Sequence, residues 1–283
     1  MSTSQALNQL RHQQAQQTAP VLATDLTSEF TETQVFNTSA GDIPVYSRWP
    51  HFHAATGMVI NLHGNGFIYP HTDRDALFCK QLCLAANVAV FDVDYPLAPE
   101  HPFPIPLMAA FETVQKIQDR YREQLGWPTL IGHSTGGNLA VGTQLLALRQ
   151  GKPLAQQVIL DCPLLDLDAD PLTKRLPHTA CSSASLGAVQ ATVDYYRPQG
   201  ETDNVLISPS KATTADLTNF PETFLLTADQ DPLLTEGEAF GQQLIAAGSK
   251  VTVRRYASSH HGFTVAGTGN SALALHYIAA LLD

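Results

Sequence analysis

A serine stands between two glycines in the pentapeptide "GHSTG", residues 132–136. A short apolar run that is typical of a strand, residues 129–132, leads into it, and a helical pattern follows at once. This context predicts a sharp strand-to-helix turn, which needs small flanking residues and lifts the serine hydroxyl out of the sheet. We therefore predict that Ser134 is a nucleophile.

A serine hydroxyl attacks efficiently only when a base accepts its proton. The segment "ASSHHGF", residues 257–263, follows a predicted strand and offers His260 and His261 as bases. We favour His261, because the glycine after it lets the loop turn the imidazole inward. We interpret His260 as its surface neighbour.

An acid must orient the imidazole and stabilise its charged form. The segment "ADQDPLL", residues 228–234, follows another predicted strand and offers Asp229 and Asp231. Asp229 suits a turn or a helix cap. We favour Asp231, which precedes a proline at the start of the next helix. The resulting chain order of serine, aspartate and histidine is that of α/β-hydrolases.

Attack on a carbonyl places negative charge on its oxygen, and preorganised backbone N–H groups must meet that charge. Thr135, directly after the serine, offers one such group. The loop "HGNGF", residues 63–67, also follows a predicted strand, and its glycines allow a close approach of the backbone. Asn65 tolerates left-handed backbone conformations, so we expect it to tune substrate preference, with its amide packed behind the loop or facing the substrate. We expect His63 to brace the loop.

These residues need strands that end at one edge of a sheet. Short apolar runs rich in β-branched residues predict strands at 58–62, 88–93, 129–132, 158–162, 223–228 and 250–257. Apolar spacing of three and four predicts helices at 74–87, 106–125, 136–151, 233–248 and 270–283. Continuous apolar strands that alternate with helices indicate an α/β fold, in which helices cover both faces of a mostly parallel sheet.

Two further regions lie outside this alternation. Residues 29–38 and 42–49 flank a turn signal and predict an antiparallel hairpin at one sheet edge. Residues 165–215 are rich in Asp, Pro, Thr and Ser, and we interpret them as an insertion over the carboxyl ends of the strands. We predict one α/β-hydrolase domain over residues 1–283, with a lid formed by about 1–40 and about 165–215.

Composition excludes several classes of partner. The formal charge is −10 and no basic tract occurs, which argues against nucleic acid and acidic lipid surfaces as partners. No apolar run is long enough for a membrane span, and the N-terminus has no signal-peptide pattern, so we expect a cytoplasmic protein. We interpret the cysteines, at positions 79, 83, 162 and 181, as reduced packing residues and expect no metal site.

Taken together, the motifs resemble the hormone-sensitive-lipase family of α/β-hydrolases, which includes bacterial carboxylesterases with an H-G-G-G loop. The matching pieces occur in family order: "HGNGF" (63–67), "DYPLAPEHPFP" (94–104), "GHSTGGNLA" (132–140), "SPS" (208–210), "ADQDPLLTEGEAF" (228–240) and "HHGF" (260–263).

The resemblance implies a role for each matched position. It implies a catalytic triad of Ser134, Asp231 and His261. It implies an oxyanion hole made by the backbone N–H groups of Asn65, Gly66 and Thr135, with His63 and Gly64 in the supporting loop. It also implies that the protein needs no metal and no organic cofactor, and that a lid covers the site.

We therefore predict a serine carboxylesterase that hydrolyses short-chain esters of small molecules through an acyl-enzyme. Two alternatives stay open: the same triad acting on a lactone or an arylformamide, and a non-catalytic binder of small ligands with this fold. A homodimer is also left open. His133 and Thr135 depart from the family pattern, and we expect such departures to affect specificity. We expect the His133 side chain to face the interior of the fold or a neighbouring loop, because the residue beside the serine of such a turn faces away from the site.

Overall fold

The computed structural model describes residues 3–17, 21, 31–50, 55–152, 154–174, 183–199 and 201–282. Its strands are Thr31–Thr38 (β1), Gly41–Arg48 (β2), Met58–Leu62 (β3), Ala89–Val93 (β4), Thr129–His133 (β5), Gln157–Asp161 (β6), Glu222–Ala228 (β7) and Val251–Tyr256 (β8). Its helices are Thr3–Gln17 (α1), Asp73–Ala86 (α2), Ile105–Leu125 (α3), Thr135–Arg149 (α4), Ser183–Tyr196 (α5), Leu234–Ala246 (α6), Phe263–Ala266 (α7) and Ser271–Ala280 (α8).

The strands form one sheet in the order β1-β2-β4-β3-β5-β6-β7-β8. From β4 to β8 all neighbours are parallel, whereas β1 and β2 pair antiparallel and join the sheet at the edge of β4. The predicted strands, the predicted hairpin and the α/β class are confirmed. The short helix α7 is an element that the sequence pattern does not predict.

Apolar residues fill both sides of the sheet because successive residues of a strand face opposite ways. On one side, Ile60 belongs to a core with residues of α3 and α4. On the other, its neighbour Val59 belongs to a second core with residues of α2 and α8. All residues of β3, β4 and β5 are buried, which explains why these strands are apolar throughout.

The parallel arrangement brings the carboxyl ends of β3, β5, β6 and β7 to one edge. Leu62 pairs with Gly132 between β3 and β5, and His133 pairs with Asp161 between β5 and β6. The loops after these strands carry the predicted site residues. Ligand sites in open α/β sheets form at this edge.

Parts of the predicted lid are helical. Within its two spans the structure has helices α1 and α5, and from Thr31 onwards the first span continues as strand β1. Residues 18–20, 22–30 and 175–182 lie outside the described residues, and so does Cys181. Cys79, Cys83 and Cys162 are buried free thiols. No helix in the described ranges is long and apolar enough to cross a membrane.

Candidate active site

The turn after β5 holds Ser134 in a strained conformation. Its φ of 51° and ψ of −115° lie in a region that costs a non-glycine residue about 1–3 kcal/mol. Packing requires the flanking glycines: a Cβ on Gly132 would lie 2.4 Å from the carbonyl oxygen of Gly136, and a Cβ on Gly136 would lie 2.0 Å from that of Leu62. The strand-to-helix turn predicted from "GHSTG" is confirmed.

Ser134 begins a chain of hydrogen bonds. Its Oγ lies 2.9 Å from Nε2 of His261, and Nδ1 of His261 lies 2.9 Å from Oδ2 of Asp231. The other oxygen of Asp231, Oδ1, accepts the N–H of Leu233 at 2.9 Å. The Asp231 side chain is 1% exposed, whereas that of His261 is 38% exposed. Both carboxylate oxygens of Asp231 are therefore held by hydrogen bonds. The imidazole of His261, in contrast, is accessible to solvent next to Ser134.

The environment makes His261 a stronger base. Burial disfavours its charged form, but the nearby carboxylates together outweigh burial, Asp231 most of all, and the pKa of His261 lies above its ordinary value of 6.5. A raised pKa increases the tendency of the imidazole to take a proton from a neighbouring hydroxyl. It also means that His261 becomes protonated, and can no longer act as a base, at a higher pH than a free histidine does.

The two rejected candidates have other environments. Oδ1 of Asp229 accepts the N–H of Ser259 at 3.2 Å, so this carboxylate stabilises the loop that precedes the histidines. His260 is exposed, and its carbonyl oxygen accepts the N–H of Phe263 where α7 begins. The structure brings the favoured member of each pair into the hydrogen-bond chain that begins at Ser134.

The loop after β3 packs directly on this turn. A Cβ on Gly64 would lie 3.4 Å from the Cβ of Ser134. Asn65 and Gly66 have φ angles of 76° and 65°, so Asn65 adopts the left-handed conformation that was expected of it. Neither of their N–H groups donates to a backbone acceptor in the described part of the chain. Thr135 is the first residue of α4, where an N–H has no intrahelical acceptor.

His63 and Tyr95 support this loop from within. Their rings stack with centroids 4.3 Å apart. The Tyr95 hydroxyl lies 2.7 Å from the carbonyl oxygen of His63 and 3.1 Å from that of Gly64. Burial lowers the pKa of His63, so its fully buried imidazole is neutral. These contacts suit a bracing role for His63, and Tyr95 belongs to the motif "DYPLAPEHPFP".

His133 faces the interior, as expected for the residue before the serine. It is buried, its Nδ1 lies 2.8 Å from Oδ2 of Asp161, and the ring of Phe78 meets it edge-on. The other oxygen of Asp161 accepts the hydroxyl of Thr264 at 3.2 Å. Sequence reasoning missed Asp161 as a partner. The available signal was an acidic residue at the end of the apolar strand "VILDC".

A cavity of about 610 Å³ lies over Ser134. Its walls include side chains from the sheet edge and from the predicted lid helices α1 and α5. Apolar groups dominate its surface, as is usual for sites that bind small organic ligands. Among the residues that line it are Gln14, Leu164, Val189, Thr192, Leu233 and Val265.

Residue types that can bind a metal occur beside the serine. In the described part of the chain, ligand atoms of Cys162, Asp231 and His261 lie within 4.8 Å of one another. However, Asp231 and His261 already hydrogen-bond each other, and burial raises the pKa of the Cys162 thiol well above its ordinary value. A metal would need the thiolate. The group therefore fits a hydrogen-bonded acid–base pair better than a metal centre.

Known proteins are similar to this chain in sequence and in fold. The family model for the alpha/beta hydrolase fold matches residues 59–265. An arylesterase of Saccharolobus solfataricus is 29% identical over 227 residues, which cover 78% of this chain and 73% of that protein. Carboxylesterase NlhH of Mycobacterium tuberculosis is 29% identical over 230 residues, which cover 78% and 71%. The solved structure of a Pyrobaculum calidifontis esterase has the same fold, with a TM-score of 0.86 and 24% identity over 98% of this chain and 92% of that one.

Proposed function

This chain belongs to the hormone-sensitive-lipase family of α/β-hydrolases, and from that premise we propose that it is a serine carboxylesterase that cleaves short-chain acyl esters through an acyl-enzyme. The arylesterase and carboxylesterase NlhH are relatives of known ester-cleaving activity, so the chain is a carboxylic ester hydrolase that acts on small-molecule esters. The serine mechanism and the chain-length preference are the further content of the proposal.

Acylation begins with attack of Ser134 Oγ on the ester carbonyl carbon, while the hydroxyl proton passes to Nε2 of His261. Charge gathers on the carbonyl oxygen, which accepts hydrogen bonds from the N–H groups of Asn65, Gly66 and Thr135. The protonated imidazole then gives its proton to the departing alcohol oxygen, and the acyl group stays on the serine.

Deacylation repeats these steps with water. His261 takes a proton from a water molecule, whose oxygen attacks the acyl carbon. The proton then returns to Oγ of Ser134 as the carboxylic acid leaves. Throughout, Asp231 holds the imidazole with its proton on Nδ1 and stabilises the charged form of the ring.

One observation carries this proposal: the continuous hydrogen bonds from Ser134 through His261 to Asp231, each 2.9 Å long. Both distances lie within the reach that proton transfer needs. The open face of the imidazole toward the cavity gives an ester access to the same atoms.

The experiment is hydrolysis of p-nitrophenyl esters of graded acyl length by wild type and Ser134→Ala. We expect the variant to lose nearly all activity and wild type to prefer the shortest acyl groups. Ser210→Ala is a matched control, because the Ser210 hydroxyl is buried and has no hydrogen-bond partner among the described residues. Full activity of Ser134→Ala would refute the assignment of Ser134 as the nucleophile.

A fluorophosphonate probe tests the non-catalytic alternative. Such probes form a covalent bond with an activated serine, so we expect Ser134 to be labelled in the folded protein. Folded protein without label would indicate a binder of small ligands. Faster turnover of a lactone or an arylformamide than of any ester in the panel would instead favour those acyl compounds.

We also propose that α1 and the insertion act as the lid of a single domain. Arg11 supports this, because its guanidinium donates to the carbonyl oxygens of Ile68 and Ala98 and to both oxygens of Glu100. These contacts fasten α1 next to the loop after β3. Gln14, one turn further along the helix, lines the cavity.

A further inference from the structure

The Asn65 amide is hydrogen-bonded to other residues of the protein, and both Asn65 and its partner Asp75 belong to the wall of the cavity over Ser134. Nδ2 of Asn65 donates to Oδ2 of Asp75 at 3.2 Å and to the carbonyl oxygen of Pro70 at 3.3 Å. Nδ1 of His63 lies 3.4 Å from the same nitrogen. The two hydrogens of the amide are therefore engaged by protein acceptors near the start of α2.

Asp75 is a rigid partner for that amide. It is 3% exposed and is the third residue of α2, where it forms a capping box with Thr72. The same Oδ2 that meets Asn65 accepts the N–H of Thr72 at 2.9 Å and its hydroxyl at 2.5 Å. The position of this oxygen is thus determined by a helix terminus rather than by a mobile side chain.

We propose that Asp75 is a positioning residue for ester hydrolysis: through the amide of Asn65 it holds the loop in the left-handed conformation that directs the backbone N–H groups at the oxyanion. This inference rests on the proposed function. It replaces the expectation from the sequence that Asn65 tunes substrate preference, because the amide binds the protein itself.

The physical reason is preorganisation. Left-handed backbone is unfavourable for most residues other than glycine, and a glycine in its place would adopt several conformations. A hydrogen bond to a charged acceptor, once lost, shifts an equilibrium by roughly ten- to a hundred-fold. The bond from Asn65 to Asp75 therefore suffices to select one loop conformation. Oxyanion donors stabilise a transition state best when no reorganisation precedes the reaction.

The test compares kcat and KM of Asn65→Gly and Asp75→Ala on p-nitrophenyl acetate, butyrate and hexanoate. We expect kcat to fall about tenfold on every ester, in equal proportion, with little change in KM. Asp75→Asn keeps an acceptor oxygen for Asn65 and should retain most of kcat. The double variant Asn65→Gly/Asp75→Ala should be no slower than the slower single variant, because both changes remove one interaction.

Asp73→Ala is the matched control. Asp73 is an exposed acid in the same first turn of α2, so its removal makes the same change in charge and in helix-end electrostatics. We expect its kcat to equal that of wild type. Equal losses of kcat in Asp73→Ala and Asp75→Ala would overturn the proposal, since a change in the stability of α2 would then explain both losses.

Other outcomes are equally decisive. Unchanged kcat in Asn65→Gly and Asp75→Ala, additive losses in the double variant, or an altered acyl preference would each overturn the positioning role. Fluorophosphonate labelling of Ser134 in wild type separates this failure from a failure of the proposed function. If Ser134 is labelled but kcat is unchanged in the Asn65 and Asp75 variants, the positioning role of Asp75 is refuted and the proposed esterase function stands.

Discussion

The variant Asp231→Asn tests the proposed role of Asp231 as the acid of the triad, because the structure determines the orientation of the new amide. Oδ1 of Asp231 accepts the buried N–H of Leu233, and Oδ2 faces Nδ1 of His261. In the variant the amide oxygen takes the site at Leu233, and the NH2 group faces the imidazole. A donor facing Nδ1 forces the ring proton onto Nε2, which can then no longer accept the proton of Ser134.

The magnitude follows from two losses. Turning the amide round would strand the buried N–H of Leu233, which costs about 1–3 kcal/mol and leaves roughly one molecule in ten to one in a hundred with the productive tautomer. The charge that stabilises the imidazolium is lost as well. We expect kcat to fall on the order of 10⁴-fold, the loss that this substitution causes in a serine-protease triad. The pKa of His261 should also fall, since the carboxylate that raises it is gone.

The assay is kcat/KM against pH with a p-nitrophenyl ester, with circular dichroism as a check of folding. In wild type the acidic limb should lie above pH 6.5, because the base must be neutral and its pKa is raised. In Asp231→Asn the residual activity should show this limb at lower pH. Asp229→Asn is the matched control and should behave as wild type. Near-normal activity of Asp231→Asn together with an inactive Asp229→Asn would refute the assignment.

Two further predictions concern the surroundings of the site. Arg11→Ala removes the hydrogen bonds that hold α1 to Ile68 and Glu100, so we expect a higher KM and faster proteolysis within α1; unchanged values of both would contradict the proposal that these contacts fasten α1 as a lid. Burial opposes the charge on His71, but the surrounding carboxylates together outweigh it, Asp92 most of all, and raise the pKa of His71 from 6.5 to about 9. This pair therefore stabilises the fold fully below about pH 6.5 and loses its contribution, at most about 3 kcal/mol, as the pH rises through 9. Urea unfolding should show this loss in wild type and not in His71→Asn; equal pH dependence in both would contradict it.

Local physics made most of the fold predictable. The buried parallel strands are apolar on both faces and β-branched, so their composition alone separates them from the amphipathic helices. The turn at Ser134 was predictable because close backbone contacts at Gly132 and Gly136 exclude any side chain. The two glycines of this pentapeptide are therefore required by close backbone packing in the tertiary structure.

The side-chain contacts behind the site were not predictable in this way. Asp75 reaches Asn65 from the next helix, and Arg11 reaches Glu100 across 89 positions of the chain. Neither contact has a fixed spacing, because each depends on how a loop lies on a neighbouring element. Aspartate at the third position of a helix is also common for capping alone. The sequence therefore gives no separate signal for the contact between Asp75 and Asn65.

Hydrogen-bond geometry alone does not mark a base. In the described part of the chain three histidines contact aspartates at 2.7–2.9 Å: His71 with Asp92, His133 with Asp161, and His261 with Asp231. The aspartates of the first two pairs are buried, as is His133, while His71 is partly buried, and an ion pair or a hydrogen bond there stabilises packing. His261 differs in that its second nitrogen meets a serine hydroxyl and its side chain is 38% exposed toward a cavity. Access to a nucleophile and to substrate, rather than the carboxylate partner, is what gives one of three similar pairs a chemical role.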